Sequence, residues 1–348
     1  MPPKSTIMES LLRRLHLLPT PVMDTFGAII FERALMAGLK MGVFEAVARG
    51  PLSVEEISAQ AHLHPEAVRL LADAYVAGGY LKRIRGKYSA GAETRKWLLR
   101  SSPSYIGNLM LYFGTLHKRL GGLEYSIAHG RPLRPYYESF SDEDWEIYAR
   151  GMADLARLLL ADVFRTISAP EPGSRLLDIG GSHGLYALEF CRRISGSTAV
   201  VMDFEGALRY AEALVREAGF GDRIRLVPGD YLSKSLPDGM DVVFMFNVIH
   251  GFDDDTNREL IRRASRTLHP GGKLYILDQT RNGTGALSDF IPLMVGLNLL
   301  NEIGGRVYTA DEVRDWCKGA RRFKVMRLKF PGVTFLEASD WRTPPSSA

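Results

Sequence analysis

Between residues 28 and 48 apolar side chains recur on a helical period, which predicts a first helix. Ser53 caps a second helix, and Glu56 three residues on completes a capping box. His64-Pro65 opens a third helix that runs to Ala77, where Gly78-Gly79 stop it. Two short alternating runs, 80–84 and 87–89, then read as strands turning at Arg85-Gly86. Three helices and a hairpin make a winged helix-turn-helix shape.

Residues 103–166 predict further helices, rich in Leu, Tyr, Phe and Met and broken by a loop at 130–135. At Gly173 the pattern changes. Apolar runs at 175–179, 198–203, 224–227, 241–246 and 273–278 read as strands, with helical segments at 185–194, 206–217 and 256–267 between them. Strands alternating with helices predict an α/β fold with a doubly wound, Rossmann-like parallel sheet. Two alternating runs, 323–330 and 333–338, close the chain as an antiparallel hairpin around Pro331-Gly332. The expected organisation is a mainly helical winged-helix domain over 1–102 and an α/β domain over 103–348. The second divides into a helical segment at 103–172 and the sheet core at 173–348.

Composition narrows the class. The 348 residues are 46% hydrophobic and 24% charged, enough for an ordinary core with a soluble surface. No run nears the roughly 18 apolar residues of a membrane span, and residues 290–300 are interrupted by Pro292, Gly296 and Asn298. The amphipathic stretch 7–18 reads as an arm that packs on a partner subunit rather than as a membrane-surface helix. No secretion signal is visible, and Cys191 and Cys317 read as reduced thiols of a cytoplasmic protein. The net charge of +4 is small and its basic residues are interleaved with acidic ones. The third helix sets one arginine, Arg69, against Glu66 and Asp73, a poor surface for phosphates. A packing role for the first domain is therefore expected, without a nucleic-acid partner or a membrane.

The strongest motif is Leu176-Leu177-Asp178-Ile179-Gly180-Gly181-Ser182-His183-Gly184, at the end of the first strand of the sheet. Glycines there let a ligand approach the backbone, beside the unpaired N–H groups of a helix start. A dinucleotide fingerprint needs glycines at 180, 182 and 185; Ser182 and Leu185 break it. The Asp-x-Gly-x-x-x-Gly spacing is the one methyltransferases use around the amino-acid end of S-adenosylmethionine (SAM). Asp203, ending the second strand, is placed to accept both hydroxyls of a ribose. After the third strand, Asp230 is expected at an adenine amino group and Tyr231 on the ring. Phe204 and Asn247 complete the cofactor candidates. His183 reads as a residue that shapes the loop or edges the cofactor.

Densest over 176–278 and looser over nearly the whole chain, the sequence resembles the plant-type small-molecule O-methyltransferases and their bacterial relatives. The stretch Asn247-Val248-Ile249-His250-Gly251-Phe252-Asp253-Asp254 stands where that family has its His-Asp-Trp-x-Asp signature, and Pro270-Gly271-Gly272-Lys273 is its turn before the next strand. The terminal hairpin belongs to SAM-dependent methyltransferases and is unusual in dehydrogenases. The resemblance implies SAM as cofactor, His250 as general base, Asp278 as the acid that holds it, and dimerisation through the N-terminal domain. Three positions depart from the family pattern. Phe246 replaces a basic residue, Gly251 the acid after the histidine, and Val307 a second supporting acid.

The implied reaction moves a methyl group from SAM to a hydroxyl, expected to be phenolic, of a small natural product. A phenol has a pKa near 10, so a neutral histidine helps by taking its proton as the new bond forms. An apolar acceptor pocket is expected from Met110, Phe113, His117, Met294 and Asn298. No group of His, Cys and carboxylates has metal-ligand spacing, so no catalytic metal is expected. Two other functions stay open: C-methylation or altered chemistry on the same scaffold, and a winged-helix regulator that senses SAM.

Overall fold

The computed structural model describes residues 11, 12, 14–281, 287–330 and 332–341. Part of the arm at 7–18, the Pro331 turn residue and the tail at 344–348 lie outside the described residues. The chain divides into two compact units, Met1–Thr115 and Leu116–Ala348.

The first unit is mainly helical. Helix α1 (Thr20–Lys40) starts eight residues before the predicted helix and stops eight before its predicted end. The stop lies at Gly42, whose φ of 71° no helix accommodates, and the chain re-enters as α2 (Val43–Ala46). Helix α3 (Val54–Ala61) carries the expected capping box: Glu56 N donates to Ser53 Oγ at 3.2 Å, and Ser53 N donates to Glu56 Oε2 at 2.6 Å. Helix α4 (Pro65–Ala77) ends at the predicted glycines. Strands β1 (Leu81–Ile84) and β2 (Lys87–Ala90) pair antiparallel through a turn with positive φ at Arg85 and Gly86. A π-helical turn (Thr94–Leu98) and α5 (Gly107–Phe113) follow. Phe44, Ile57, Val68, Ala72, Tyr75 and Tyr88 form the buried centre of this unit.

The second unit opens with α6 (His117–Leu120), α7 (Leu123–His129) and the long α8 (Asp142–Thr166). Its sheet has the order β5-β4-β3-β6-β7-β9-β8. Strands β3 (Arg175–Ile179), β4 (Thr198–Asp203), β5 (Ile224–Pro228), β6 (Met240–Phe246) and β7 (Leu268–Gln279) run parallel. Between them lie α9 (Leu185–Arg193), α10 (Glu205–Glu217) and α11 (Asp254–Arg266). The hairpin β8 (Ala320–Arg327) and β9 (Val333–Trp341) adds an antiparallel edge, as the sequence predicts. This is a doubly wound, Rossmann-like sheet with an antiparallel edge.

Helices cover both faces, which is why the strands are apolar almost throughout. Leu176, Phe244, Phe246 and Leu277 pack towards α8 and α9, whereas Leu177, Val243, Met245 and Ile276 pack towards α11. Strand β7 begins five residues before its predicted start. The Pro270-Gly271-Gly272 turn sits inside it as a register shift opposite Met240 and Val242. Two helices have no counterpart in the sequence pattern. Helix α12 (Leu287–Ile303) runs through Pro292, Gly296 and Asn298, which read as interruptions in the sequence alone. Helix α13 (Ala310–Trp316) has a legible capping box in Thr309 and Glu312.

Candidate functional site

The glycine loop after β3 is a cradle floored by the carboxyl group of Asp178. Gly180 and Gly184 take φ of 71° and 69°, in the left-handed region that favours glycine. A Cβ on Gly181 would stand 2.7 Å from the Asp178 carboxyl and from Val201, so no side chain fits there. His183 spends its ring on the loop: Leu185 N donates to its Nδ1 at 3.1 Å, and burial lowers its pKa to about 3.

Asp178 is buried and neither of its oxygens has a hydrogen-bond partner among the described residues. Burial, and then the nearby Asp203, push its pKa up to about 8. Ser182 Oγ and Tyr186 OH are likewise buried and unpartnered. Asp203 ends β4 and accepts from Ser182 N at 2.9 Å through Oδ2 and from Phe204 N at 2.7 Å through Oδ1. Burial raises it to about 6 against those two bonds. Orphaned buried acceptors are costly unless a ligand completes them. An ammonium for Asp178 and ribose hydroxyls for Asp203 are the groups this set fits, so the residues present suit SAM.

Aromatic rings stand beside the cradle. Phe204 stacks on Tyr137 at 5.7 Å between centroids and lies 6.5 Å from Tyr231, which meets Phe252 edge-on at 6.1 Å. Trp145 takes the space where a Cβ on Gly206 would be, 2.5 Å away. Neither Tyr137 nor Trp145 is identifiable from sequence, because single aromatics in a helical stretch give no positional signal. Asp230 works locally. Its Oδ1 accepts from Leu232 N at 2.8 Å and its Oδ2 from Ser233 Oγ at 3.2 Å, a turn-forming pattern.

The histidine sits one strand over. Asn247 leaves β6 with φ of 55°, its side chain accepting from Gln279 Nε2 at 3.2 Å, and turns the chain into a 3₁₀ turn (Ile249–Gly251). Asn257 Nδ2 donates to Ile249 O at 2.8 Å and Phe252 O at 3.1 Å, which holds that turn from α11. His250 Nδ1 lies 2.7 Å from Asp278 Oδ1, and Asp278 is fully buried. With Nδ1–H donating to the carboxylate, Nε2 keeps its lone pair. Phe246, at the family's basic position, stacks on Phe244 at 4.4 Å and meets Tyr186 edge-on at 4.8 Å. That position has become part of the aromatic core.

Asp178 lies next to the end of β3, Asp203 ends β4, Asp230 and His250 follow β5 and β6, and Asp278 lies near the end of β7; all stand at the C-terminal edge, where such sheets bind ligands. The expected pocket residues divide between the units. Met110, half-buried, and Phe113, exposed, lie on α5 of the first unit. His117 on α6 and Met294 and Asn298 on α12 belong to the second, where those two helices pack together. Met294 is exposed, whereas Asn298 Nδ2 donates to Glu302 Oε2 at 2.9 Å. Glu302 has no sequence signal and is buried. Among the described residues no cluster of His, Cys and carboxylates has a metal-binding arrangement, and no helix is long and apolar enough to cross a membrane.

Comparison with known proteins fits this geometry. A family model for an O-methyltransferase domain matches residues 114–321. The chain is 24% identical over 331 residues to 3-hydroxy-5-methyl-1-naphthoate 3-O-methyltransferase of Streptomyces sahachiroi, covering 90% of this chain and 93% of that one. It is 26% identical over 316 residues to aclacinomycin 10-hydroxylase RdmB of Streptomyces purpurascens, covering 84% and 82%. Among solved structures, human N-acetylserotonin methyltransferase in complex with SAM superposes with a TM-score of 0.80 at 20% identity, over 98% of this chain and 100% of that one.

Proposed function

The chain belongs to the O-methyltransferase family, and from that premise we propose which of its residues carry the transfer of a methyl group from SAM to a small-molecule hydroxyl. SAM, when bound, supplies an electrophilic methyl group on a sulfonium sulfur. Asp178 and the backbone of Gly180, Gly181 and Gly184 receive its amino-acid end, and Asp203 its ribose hydroxyls. Phe204 and Tyr231 flank the adenine, with Asp230 at its amino group and Asn247 closing the site beside β6.

His250 takes the acceptor's proton at Nε2, and Asp278 fixes the ring and stabilises the imidazolium that forms. A phenolic hydroxyl is the acceptor that gains most, since its pKa near 10 leaves it protonated at neutral pH. One observation carries this reading. The unpartnered carboxyl group of Asp178 lies in its glycine cradle at the end of β3, and the His250–Asp278 pair stands at the same end of the neighbouring strands β6 and β7. Within the second unit, His117, Met294 and Asn298 remain the proposed acceptor-side residues. The reaction takes place in the cytoplasm, a compartment that suits two buried free thiols.

The first unit is proposed to act as a winged-helix dimerisation domain over 1–102. On α1, Val22, Phe26, Ile29 and Ile30 are exposed on one helical face. Arg69 of α4 is engaged with Glu55 and Glu66, and Arg83 of β1 with Asp73, which weakens this face as a phosphate-binding surface. An unpaired apolar stripe of this kind suits a second copy of the chain.

A different chemistry on the same cofactor site has one observation in its favour, the likeness to a relative named as a hydroxylase. Feeding SAM labelled with ¹³C in its methyl group and locating the label in the product by NMR separates the two. An oxygen-bound methyl is expected. A carbon-bound label, or an unlabelled hydroxylated product, would reject the reading.

A further inference from the structure

Val307 stands where the resemblance implies a second supporting acid. Val307 is buried, and Gly296 of α12 faces it closely enough that an added Cβ would meet its Cγ2 at 3.5 Å. Further along the same helix, Glu302 is also buried, with an exposure of 4%. Arg119 Nε donates to its Oε1 at 2.7 Å and Asn298 Nδ2 to its Oε2 at 2.9 Å, so both oxygens accept, as they do in an ionised carboxylate.

The residues around Glu302 grip the histidine turn. Arg306 N donates to His250 O at 3.0 Å, Gly305 packs under that carbonyl, and Ile303 Cδ1 stands 3.4 Å from where a Cβ on Gly251 would be. We propose that Glu302 supplies the second negative charge that supports the imidazolium of His250, in place of an acid at 307 or 251. The proposal rests on the reading of His250 as the base.

Burial raises the pKa of Glu302, while the Arg119 guanidinium, the Asn298 amide and the charge of His250 work against that rise. The charged and titratable groups acting on it are thus Arg119 from α6 and His250 from the 3₁₀ turn; α7 presents Ser126 to the neighbouring Asn301. Arg119 also stands 5.7 Å from the ring of Phe140. Glu302 acts through His250, as a positioning and electrostatic residue. It is not a group that meets the substrate.

The pH profile of turnover tests this. Glu302→Gln keeps the shape and removes the charge, so the acidic limb of kcat should move to lower pH by roughly half a unit or more, with the KM for SAM unchanged. Glu302→Asp keeps the charge and should leave the limb near its wild-type position. Should Glu302→Gln leave Arg119 uncompensated and fail to fold, Arg119→Gln alone removes the cation that offsets Glu302 and should move the limb to higher pH. A limb unmoved in the Gln variants, or moved equally by Asp and Gln, overturns the proposal. His250→Ala tells this failure from that of the underlying reading: a limb that persists without His250 means the base itself is misassigned.

Discussion

Gly305 packs directly under the backbone of His250, so closely that a Cβ at position 305 would come within 2.1 Å of the His250 carbonyl oxygen. The same carbonyl accepts from Arg306 N at 3.0 Å. The loop after α12 therefore sets the height of the 3₁₀ turn, and with it the place of the imidazole. Gly305→Ala must displace one backbone or the other, because neither atom belongs to a flexible side chain. Turnover should fall roughly 10²-fold, the scale of a 1 Å misplacement, while affinity for S-adenosylhomocysteine (SAH) changes less than a few-fold. Unchanged turnover would show that the loop does not position the histidine.

In the proposed site Asp203 accepts from two ribose hydroxyls, and hydrogen bonds to charged groups contribute about 1.5–3 kcal/mol. Asp203→Ala should weaken SAH binding by roughly 10- to 100-fold, with the circular dichroism spectrum preserved. Calorimetry that found wild-type affinity would displace the whole cofactor assignment.

The buried carboxylates make binding depend on pH. Asp178 and Asp203 are raised to about 8 and about 6, far above their ordinary 3.8, so the ligand-free protein holds protons there that the unfolded chain has lost. The unfolded state binds fewer protons between pH 4 and these values, so ligand-free stability falls as pH rises through that window. A bound ammonium favours the ionised form of Asp178 and expels its proton. SAH should bind more tightly as pH rises from 6 to 8, with proton release measurable by calorimetry in two buffers of different ionisation enthalpy. Binding without proton release across that range would contradict the role given to Asp178.

The exposed stripe of Val22, Phe26, Ile29 and Ile30 predicts self-association. Light scattering at micromolar concentration should give twice the chain mass of 38.8 kDa. Phe26→Glu combined with Ile30→Glu should shift it towards a monomer, since charges buried without partners oppose association. A wild-type monomer would remove the dimer from the account.

Much of this is legible in the sequence, for physical reasons that differ from place to place. The strands of the sheet announce themselves because a parallel sheet covered on both faces demands uninterrupted apolar runs, as in 175–179 and 241–246. The cradle is legible because Gly180 and Gly184 adopt backbone angles few other residues take, and Gly181 has no room for a side chain. Helix α12 is not, because Pro292, Gly296 and Asn298 each read as breakers while packing decides otherwise. Nor is Glu302, since its significance lies in Arg119, 183 residues away in the chain. Asp230 is legible by position, but its local bonds to Leu232 and Ser233 emerge only in three dimensions.

The most direct measurement of the central claim compares His250→Ala with the wild type on two acceptors of different hydroxyl acidity. With His250 as base, oriented by Asp278 at 2.7 Å, the variant should lose roughly 10²-fold or more in turnover on an ordinary phenol. The loss should shrink on an acceptor whose hydroxyl is already largely ionised, and SAH affinity should stay within a few-fold of wild type. A small loss, equal for both acceptors, would contradict base catalysis by His250 and leave the site working by positioning alone.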